Sequence, residues 1–207
     1  MNKLPIFFSA FAASLLLLTP SARAAGTATL GDKVPNFTLQ GADGKTHSLA
    51  EYKGKFVVLE WTNPQCPFVH KFYDSGTMQN LQKDETAKGV VWLRINSGAP
   101  GHDGAQTAAE AAAYEASNHV HSTATLLDST GKVGHEFGAT NTPQMFVINK
   151  KDVLIYAGGI DNKPSTDQAD IATATNYVKA ALDEAMAGKP VVTASAPPYG
   201  CSVKYTE

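Results

Sequence analysis

Val57-Val58-Leu59-Glu60-Trp61-Thr62-Asn63-Pro64-Gln65-Cys66-Pro67-Phe68-Val69 is the stretch that decides the fold. Phe56 to Leu59 is an apolar, β-branched run of the kind that fills a sheet buried on both faces. Asn63-Pro64 is a turn signal. Pro67 suits the first position of a helix, where a missing N–H costs nothing and the fixed φ is already helical. That places Cys66 at the helix N-cap. Unpaired backbone N–H groups and the positive end of the helix dipole favour a thiolate there. Such a sulfur, reachable from solvent, is suited to attack another sulfur or an oxygen. The plain alternative is a structural cysteine that ends a strand.

Working outward, Gly31 to Leu39 and Thr46 to Leu49 flank the turn Gly41-Ala42-Asp43-Gly44-Lys45 and predict an N-terminal β-hairpin. Ser48 and Glu51 have the spacing of a short capped turn. Beyond Cys66, a first helical segment breaks at Asp74-Ser75-Gly76 and resumes over Thr77 to Lys88, with Gly89 as its stop. Val90 to Ile95 is the next buried strand, and Ala105 to Ser117 an alanine-rich helix. Ala124 to Leu127 is a short strand, followed by a short helix around Val133 to Phe137. Met145 to Ile148 and Val153 to Ala157 form a late hairpin. Ser165 and Gln168 have capping-box spacing ahead of a last helix through Ile171, Val178 and Leu182, which Gly188-Lys189-Pro190 ends. Strand, crossover helix and strand imply a parallel pair, and the late hairpin adds antiparallel strands. The expected class is α/β: a mixed central sheet flanked by helices, with an N-terminal hairpin and an extended C-terminal tail.

The ends of the chain carry their own signals. Lys3, the apolar run Ile6 to Leu18 and Ala22-Arg23-Ala24 have the three parts of a Sec-type signal peptide, with cleavage expected after Ala24. The domain boundaries read as 1–24 signal peptide, 25–190 folded domain and 191–207 tail. The apolar run is short for a membrane span, and no second one follows. The chain carries 17 Lys and Arg against 19 Asp and Glu. Cleavage removes Lys3 and Arg23 and no acid, so the remainder is more acidic still. That argues against nucleic acid or an anionic membrane as partner. The expected compartment is extracytoplasmic, with the periplasm the first choice. There are two cysteines, Cys66 and Cys201. In an oxidising compartment they invite pairing, yet two are too few for a disulfide scaffold.

In order, Val34-Pro35-Asn36-Phe37-Thr38-Leu39, Gly44-Lys45-Thr46-His47-Ser48-Leu49, Gly54-Lys55-Phe56-Val57-Val58-Leu59, Cys66-Pro67 and Thr142-Pro143 before an apolar strand resemble the redoxin family. This is the alkyl hydroperoxide reductase/thiol-specific antioxidant family of the thioredoxin-like superfamily. The Asn63-to-Val69 stretch and the ending Gly200-Cys201-Ser202-Val203-Lys204-Tyr205 are similar to a peroxiredoxin-like subgroup with one cysteine at the active helix. The resemblance implies a thioredoxin-like fold and thiol-dependent, antioxidant redox chemistry without a metal or organic cofactor. It also implies a cis Thr142-Pro143 bond in a loop lying against Cys66, where the Thr142 backbone can pair with an extended substrate. Two departures matter. Val69 stands where thioredoxins carry the second cysteine of Cys-x-x-Cys, so a self-contained dithiol is excluded. Leu59 and Asn63 stand where peroxiredoxins carry proline and a hydroxyl residue, so their peroxide-activating arrangement is not visible.

A thiolate that forms a mixed disulfide needs a second sulfur to release it, and Cys201 is the one other sulfur of this type in the chain. The candidate site is therefore Cys66 and Cys201 for the chemistry, with Trp61, Pro67, Thr142 and Pro143 around the substrate. Substrates would be protein or small-molecule thiols and disulfides, or peroxides, with an external electron donor. Cys201 lies on a Pro/Gly-rich segment that can swing or dock. A permanent Cys66–Cys201 bond pinning the tail, contributing up to about 5 kcal/mol, stands as the non-catalytic alternative. Trp61 reads equally as core, and His70 as a solvated helix residue. His119 and His121 would share one side of an extended segment but lack further ligands for a metal.

Overall fold

In the computed structural model, which describes Met1 and residues 27–206, the first regular element is a hairpin of β1 (Thr38–Gly41) and β2 (Thr46–Ser48). Apart from Met1, the stretch expected to be a signal peptide lies outside the described residues. A 3₁₀ turn (Leu49–Tyr52) leads into β3 (Val57–Trp61), α1 (Pro67–Asp74), α2 (Thr77–Ala87) and β4 (Val91–Asn96). Then come α3 (Ala108–Ser117), β5 (Ala124–Leu127), α4 (Lys132–Phe137), β6 (Asn141–Thr142), β7 (Gln144–Ile148) and β8 (Leu154–Gly158). A second 3₁₀ turn (Gln168–Thr173), α5 (Tyr177–Met186) and β9 (Cys201–Ser202) complete the chain.

The main sheet runs β2-β1-β5-β4-β3-β7-β8. β3, β4 and β5 are parallel, joined by helical crossovers, while β7 and β8 add an antiparallel edge and β1 and β2 the other. β3, β4 and β7 are buried at every residue, as strands covered by helices on both faces must be, whereas edge strand β8 alternates. Two apolar layers follow. One packs Val69, Phe72 and Met78 of α1 and α2 and Val178 and Leu182 of α5 on the sheet, and it includes Cys66. The other packs Phe37, Val133 and Phe137 against Leu59, Trp61 and Phe146. Each fully buried Leu or Val here contributes about 1.5–3 kcal/mol.

Local expectations hold where the cap chemistry is real and fail where another group takes its place. Glu110 and Thr107 form a full capping box, so α3 starts at Ala108 rather than at Ala105. Ser48 does not cap its turn. Its hydroxyl donates to Asn36 Oδ1 (3.3 Å), and that oxygen also takes the Ala50 amide (2.8 Å). The single helix expected after Ser165 is two pieces. Asp167 accepts the Ala169 amide ahead of the 3₁₀ turn, the Ser165 hydroxyl goes to Asp170 instead, and Asn176 accepts the Lys179 amide at the start of α5. His119 sits in a left-handed turn (φ 50) just after α3, so it and His121 share no strand face.

Candidate active site

Cys66 is the N-cap of α1, in extended conformation (φ −80, ψ 120), with Pro67 the first helical residue. β3 delivers the chain to this point. Asn63 shapes the turn between them: its Oδ1 accepts the Gln65 amide (2.8 Å) and its Nδ2 donates to Asp103 O (3.3 Å). At this position, where the family resemblance implies a hydroxyl residue, the side-chain amide serves the turn. Facing the sulfur is the loop of Thr142 and Pro143, whose peptide bond is cis. The Cys66 thiol donates to the Thr142 carbonyl at 3.1 Å.

The sulfur is not open to solvent, contrary to what its helix-cap position suggests. Cys66 is 1% exposed. What covers it is the tail. β9 pairs antiparallel with β6, Thr142 opposite Cys201 and Asn141 opposite Ser202. The edge expected to receive an extended substrate is thus occupied by the chain's own Cys201, beside Cys66, and both cysteines are free thiols. The tail is seated along its length. Ala194 and Ala196 bond to Ala157 on the outer edge of β8, and Asn141 Nδ2 donates to Gly200 O (3.0 Å). Past the cysteine, Val203 N donates to Thr140 O (2.9 Å), and Tyr205 donates to Ala139 O (2.7 Å) while stacking on His135 at 4.1 Å. Gly200 (φ +113) is needed for this path: a Cβ there would lie 2.1 Å from the Thr142 carbonyl oxygen.

The two sulfurs bias each other. Burial pushes the Cys66 thiol up, but the Cys201 thiol, the Thr142 hydroxyl and the Cys201 and Val69 amides favour its anion, and the balance lies below the ordinary value. The Val69 amide makes its own hydrogen bond to the Cys66 carbonyl (2.9 Å), so its pull on the sulfur is that of the helix end. Cys201 moves the opposite way, to about 11, through burial first and then the adjacent Cys66. A linked pair of titration shifts is expected. Cys201→Ala removes a donor to the Cys66 anion and should move Cys66 to higher pH; Cys66→Ala removes the neighbour that holds Cys201 up and should move Cys201 to lower pH. Ultraviolet titration of thiolate absorbance in the two variants reads both directions, and parallel shifts would contradict the coupling.

The remaining site candidates divide. Pro67 sits exposed beside Cys66, and Thr142 and Pro143 face it. Trp61 does not line the site. It is fully buried in the layer on the other side of the sheet, against Phe137 and Phe146, and its Nε1 donates to Ser97 Oγ (3.0 Å). Strand alternation gives the reason, since β3 sends Glu60 to the α1 face and Trp61 to the opposite one. His70 is half-exposed and turned toward Asp74 (3.4 Å). Among the described residues no group of three or more His, Cys, Asp or Glu is clustered for a metal, and no helix is long and apolar enough to cross a membrane. Tyr199, which the sequence reading passed over, packs its ring on Phe68 two residues past Cys66, and its hydroxyl donates to Asp161, which lies 4.0 Å from Lys71.

A helix-capping cysteine facing a cis-proline loop, on a mixed sheet with helices on both faces, defines a thioredoxin-like protein. The chain belongs to the redoxin family, whose model matches residues 29–175. Its chemistry is accordingly thiol redox chemistry, disulfide exchange or peroxide reduction. Among solved structures it is similar to a hypothetical protein from Sinorhizobium meliloti 1021, at 25% identity over 87% of this chain and 97% of that one, TM-score 0.73. An uncharacterized conserved protein from Geobacillus kaustophilus is also 25% identical, over 86% of this chain and 93% of that one, TM-score 0.73. A candidate thioredoxin from Neisseria meningitidis, at 20% identity over 74% and 91% of the two chains and TM-score 0.52, shares the fold. No curated protein matches the chain.

Proposed function

We propose that this redoxin is an exported thiol–disulfide oxidoreductase in which Cys66 attacks and Cys201 resolves. The observation that carries the reading is the pairing of β9 with β6, which sets a second thiol beside the helix-cap sulfur and donates to its anion. The Cys66 thiolate attacks one sulfur of a substrate disulfide. A Cys66–substrate bond forms, the substrate S–S bond breaks, and its distal sulfur leaves as thiolate. Cys201 is held up by burial and by the Cys66 anion. Once Cys66 is tied up in the mixed disulfide, its anion no longer opposes ionisation of Cys201. Cys201 then attacks Cys66, its proton passes to the departing thiolate, and the protein is left with a Cys66–Cys201 disulfide. The substrate has gained two electrons; an external dithiol returns the pair to thiols.

The order of events is built into the two pKa directions: the sulfur with the lowered pKa goes first. Burial of Cys66 requires the tail to lift, at least locally, for the first attack. The test is a mass map of the protein across graded ratios of oxidised and reduced glutathione. The expected outcome is a reversible Cys66–Cys201 bond in the native protein, with the mixed glutathione disulfide accumulating on Cys66 when Cys201 is serine. A bond that reduces only under denaturing conditions would mean a structural staple. Peroxide consumption by the thiol form, lost with Cys66, would instead make the protein a thiol peroxidase that passes through a sulfenic acid.

A further inference from the structure

We infer that Tyr199 and Asp161 are the positioning residues of the second sulfur, holding Cys201 in register on the Thr142 edge and tying that strand to the helix that carries Cys66. The inference rests on the resolving role proposed for Cys201 and goes beyond it, since it says what sets the rate of resolution.

Tyr199 stands two residues before Cys201. Its ring lies edge-on against Phe68, the second residue of α1, at 5.9 Å. Its hydroxyl donates to Asp161 Oδ1, and Asp161 is 4% exposed. The same oxygen takes the Lys163 amide (2.8 Å). Asp161 Oδ2 lies 4.0 Å from Lys71 Nζ, and that ammonium donates to Lys163 O at 3.0 Å. Lys71 is itself 1% exposed and belongs to α1, one turn and a half beyond Cys66. A continuous path therefore runs from the helix of the first sulfur, through Lys71, Asp161 and Tyr199, to the strand of the second.

Burying an ammonium and a carboxylate is costly, and such a pair is weak evidence for stability. What it supplies here is a fixed anion for one phenol. A hydrogen bond to a charged acceptor is roughly twice as strong as a neutral one, and it is directional. Burial and then the neighbouring carboxylate lift the Tyr199 hydroxyl far above its usual range, so it remains a donor. The bond acts on Cys201 through Gly200, where an added Cβ would lie 2.1 Å from the Thr142 carbonyl oxygen and 3.4 Å from Phe68 Cβ. Moving Tyr199 moves Gly200, and with it the register of Cys201 opposite Thr142.

The test follows two thiol releases from 5,5′-dithiobis(2-nitrobenzoic acid) on the full chain in its dithiol form. The first release reports attack by Cys66. The second reports Cys201 resolving the mixed disulfide. Tyr199→Phe keeps the ring on Phe68 and deletes the hydroxyl alone. It should slow the second release about tenfold, the factor that corresponds to about 1.4 kcal/mol, while the first release stays as fast or rises because the cover is looser. Asp161→Asn keeps an acceptor but no charge and should fall between Tyr199→Phe and the unaltered protein. Gly200→Ala, which sets a Cβ against the Thr142 oxygen, should slow the second release at least as much as Tyr199→Phe. Tyr199→Phe with an unchanged second release overturns the inference. So does a slowing of both releases together, which would mean that Cys66 itself had been disturbed. Should the unaltered protein show no second release, the resolving role of Cys201 falls first, and the two failures are told apart.

Discussion

Replacing Cys66 by serine is expected to bring disulfide exchange down to the uncatalysed background, with the fold intact. The reason is chemical. On the proposed reading the reactive group is the Cys66 anion, which burial opposes but the Cys201 thiol, the Thr142 hydroxyl and the helix end favour, so that the pKa lies below the ordinary thiol value. A serine hydroxyl at the same cap starts from so high a pKa that the same donors leave it neutral, and oxygen is a poor nucleophile toward a disulfide. Serine is nevertheless a good N-cap, so α1 has no cause to unwind. Cys201→Ser should behave differently. The first attack survives, one substrate half is captured per protein, and turnover fails for want of the second sulfur. The pair of variants is read by stoichiometry: no covalent capture without Cys66, one equivalent trapped on Cys66 without Cys201. Capture by Cys201 in the absence of Cys66 would reverse the assigned order.

The fold was legible because its signals are local. The run Val57 to Val69 places a buried strand, a turn and a capped helix in one line, and the structure has them as β3 and α1 with Cys66 between. The cis Thr142-Pro143 bond, expected from family resemblance rather than composition, is present too. What the sequence did not disclose is the seat of the tail. Thr142 and Cys201 are far apart in sequence, and a two-residue strand has too little pattern to name its partner. Gly200 reads as ordinary flexibility until the Thr142 oxygen is seen 2.1 Å from its missing Cβ. The burial of Cys66 follows from that same long-range pairing, so it too was beyond local reading. Trp61 was ambiguous for a different reason: without knowing the sheet faces, an aromatic near the site suits either side. The split of the last helix turned on which side chains cap, and Asp167 and Asn176 did so in place of Ser165. One further signal was present in the residues and unread. Glu60 and Arg94 are the single charges of two buried strands, and the parallel register sets them opposite each other.

That pair sets the largest expected effect on stability. Glu60 and Arg94 are both 0% exposed. The carboxylate accepts the Tyr73 hydroxyl (2.7 Å), the Trp92 indole N–H (2.7 Å) and the Gln82 amide (3.0 Å), and lies 3.8 Å from Arg94 Nε. The guanidinium lies against the rings of Tyr73 and Tyr114, 5.2 and 4.9 Å from their centres, and donates to Thr125 Oγ1 at 3.0 Å. Burial lifts the Tyr73 hydroxyl well above its usual value and Tyr114 to about 12, so neither phenol supplies an anion at neutral pH. Among the described residues Glu60 is the one carboxylate within ion-pair distance of Arg94. Glu60→Ala therefore strands a buried cation and two donors, the Tyr73 hydroxyl and the Trp92 indole, while the Gln82 amide keeps the Tyr73 oxygen (2.9 Å), and it should destabilise the fold by about 3–5 kcal/mol. Against a total of about 5–15 kcal/mol for a typical domain, that is a large share. Urea unfolding should show the midpoint falling with the slope unchanged. Replacing both charges by apolar side chains of similar volume, Glu60→Leu with Arg94→Met, removes the stranded cation along with its partner. The double variant should then be more stable than Glu60→Ala, even though it loses one more native side chain. If it is less stable, Arg94 supports the fold through its own contacts to Tyr73, Tyr114 and Thr125 even without Glu60, and a stranded charge is not what Glu60→Ala costs. Because Tyr73 belongs to α1, the same loss loosens the helix that presents Cys66, so in Glu60→Ala the first thiol release should quicken as stability falls.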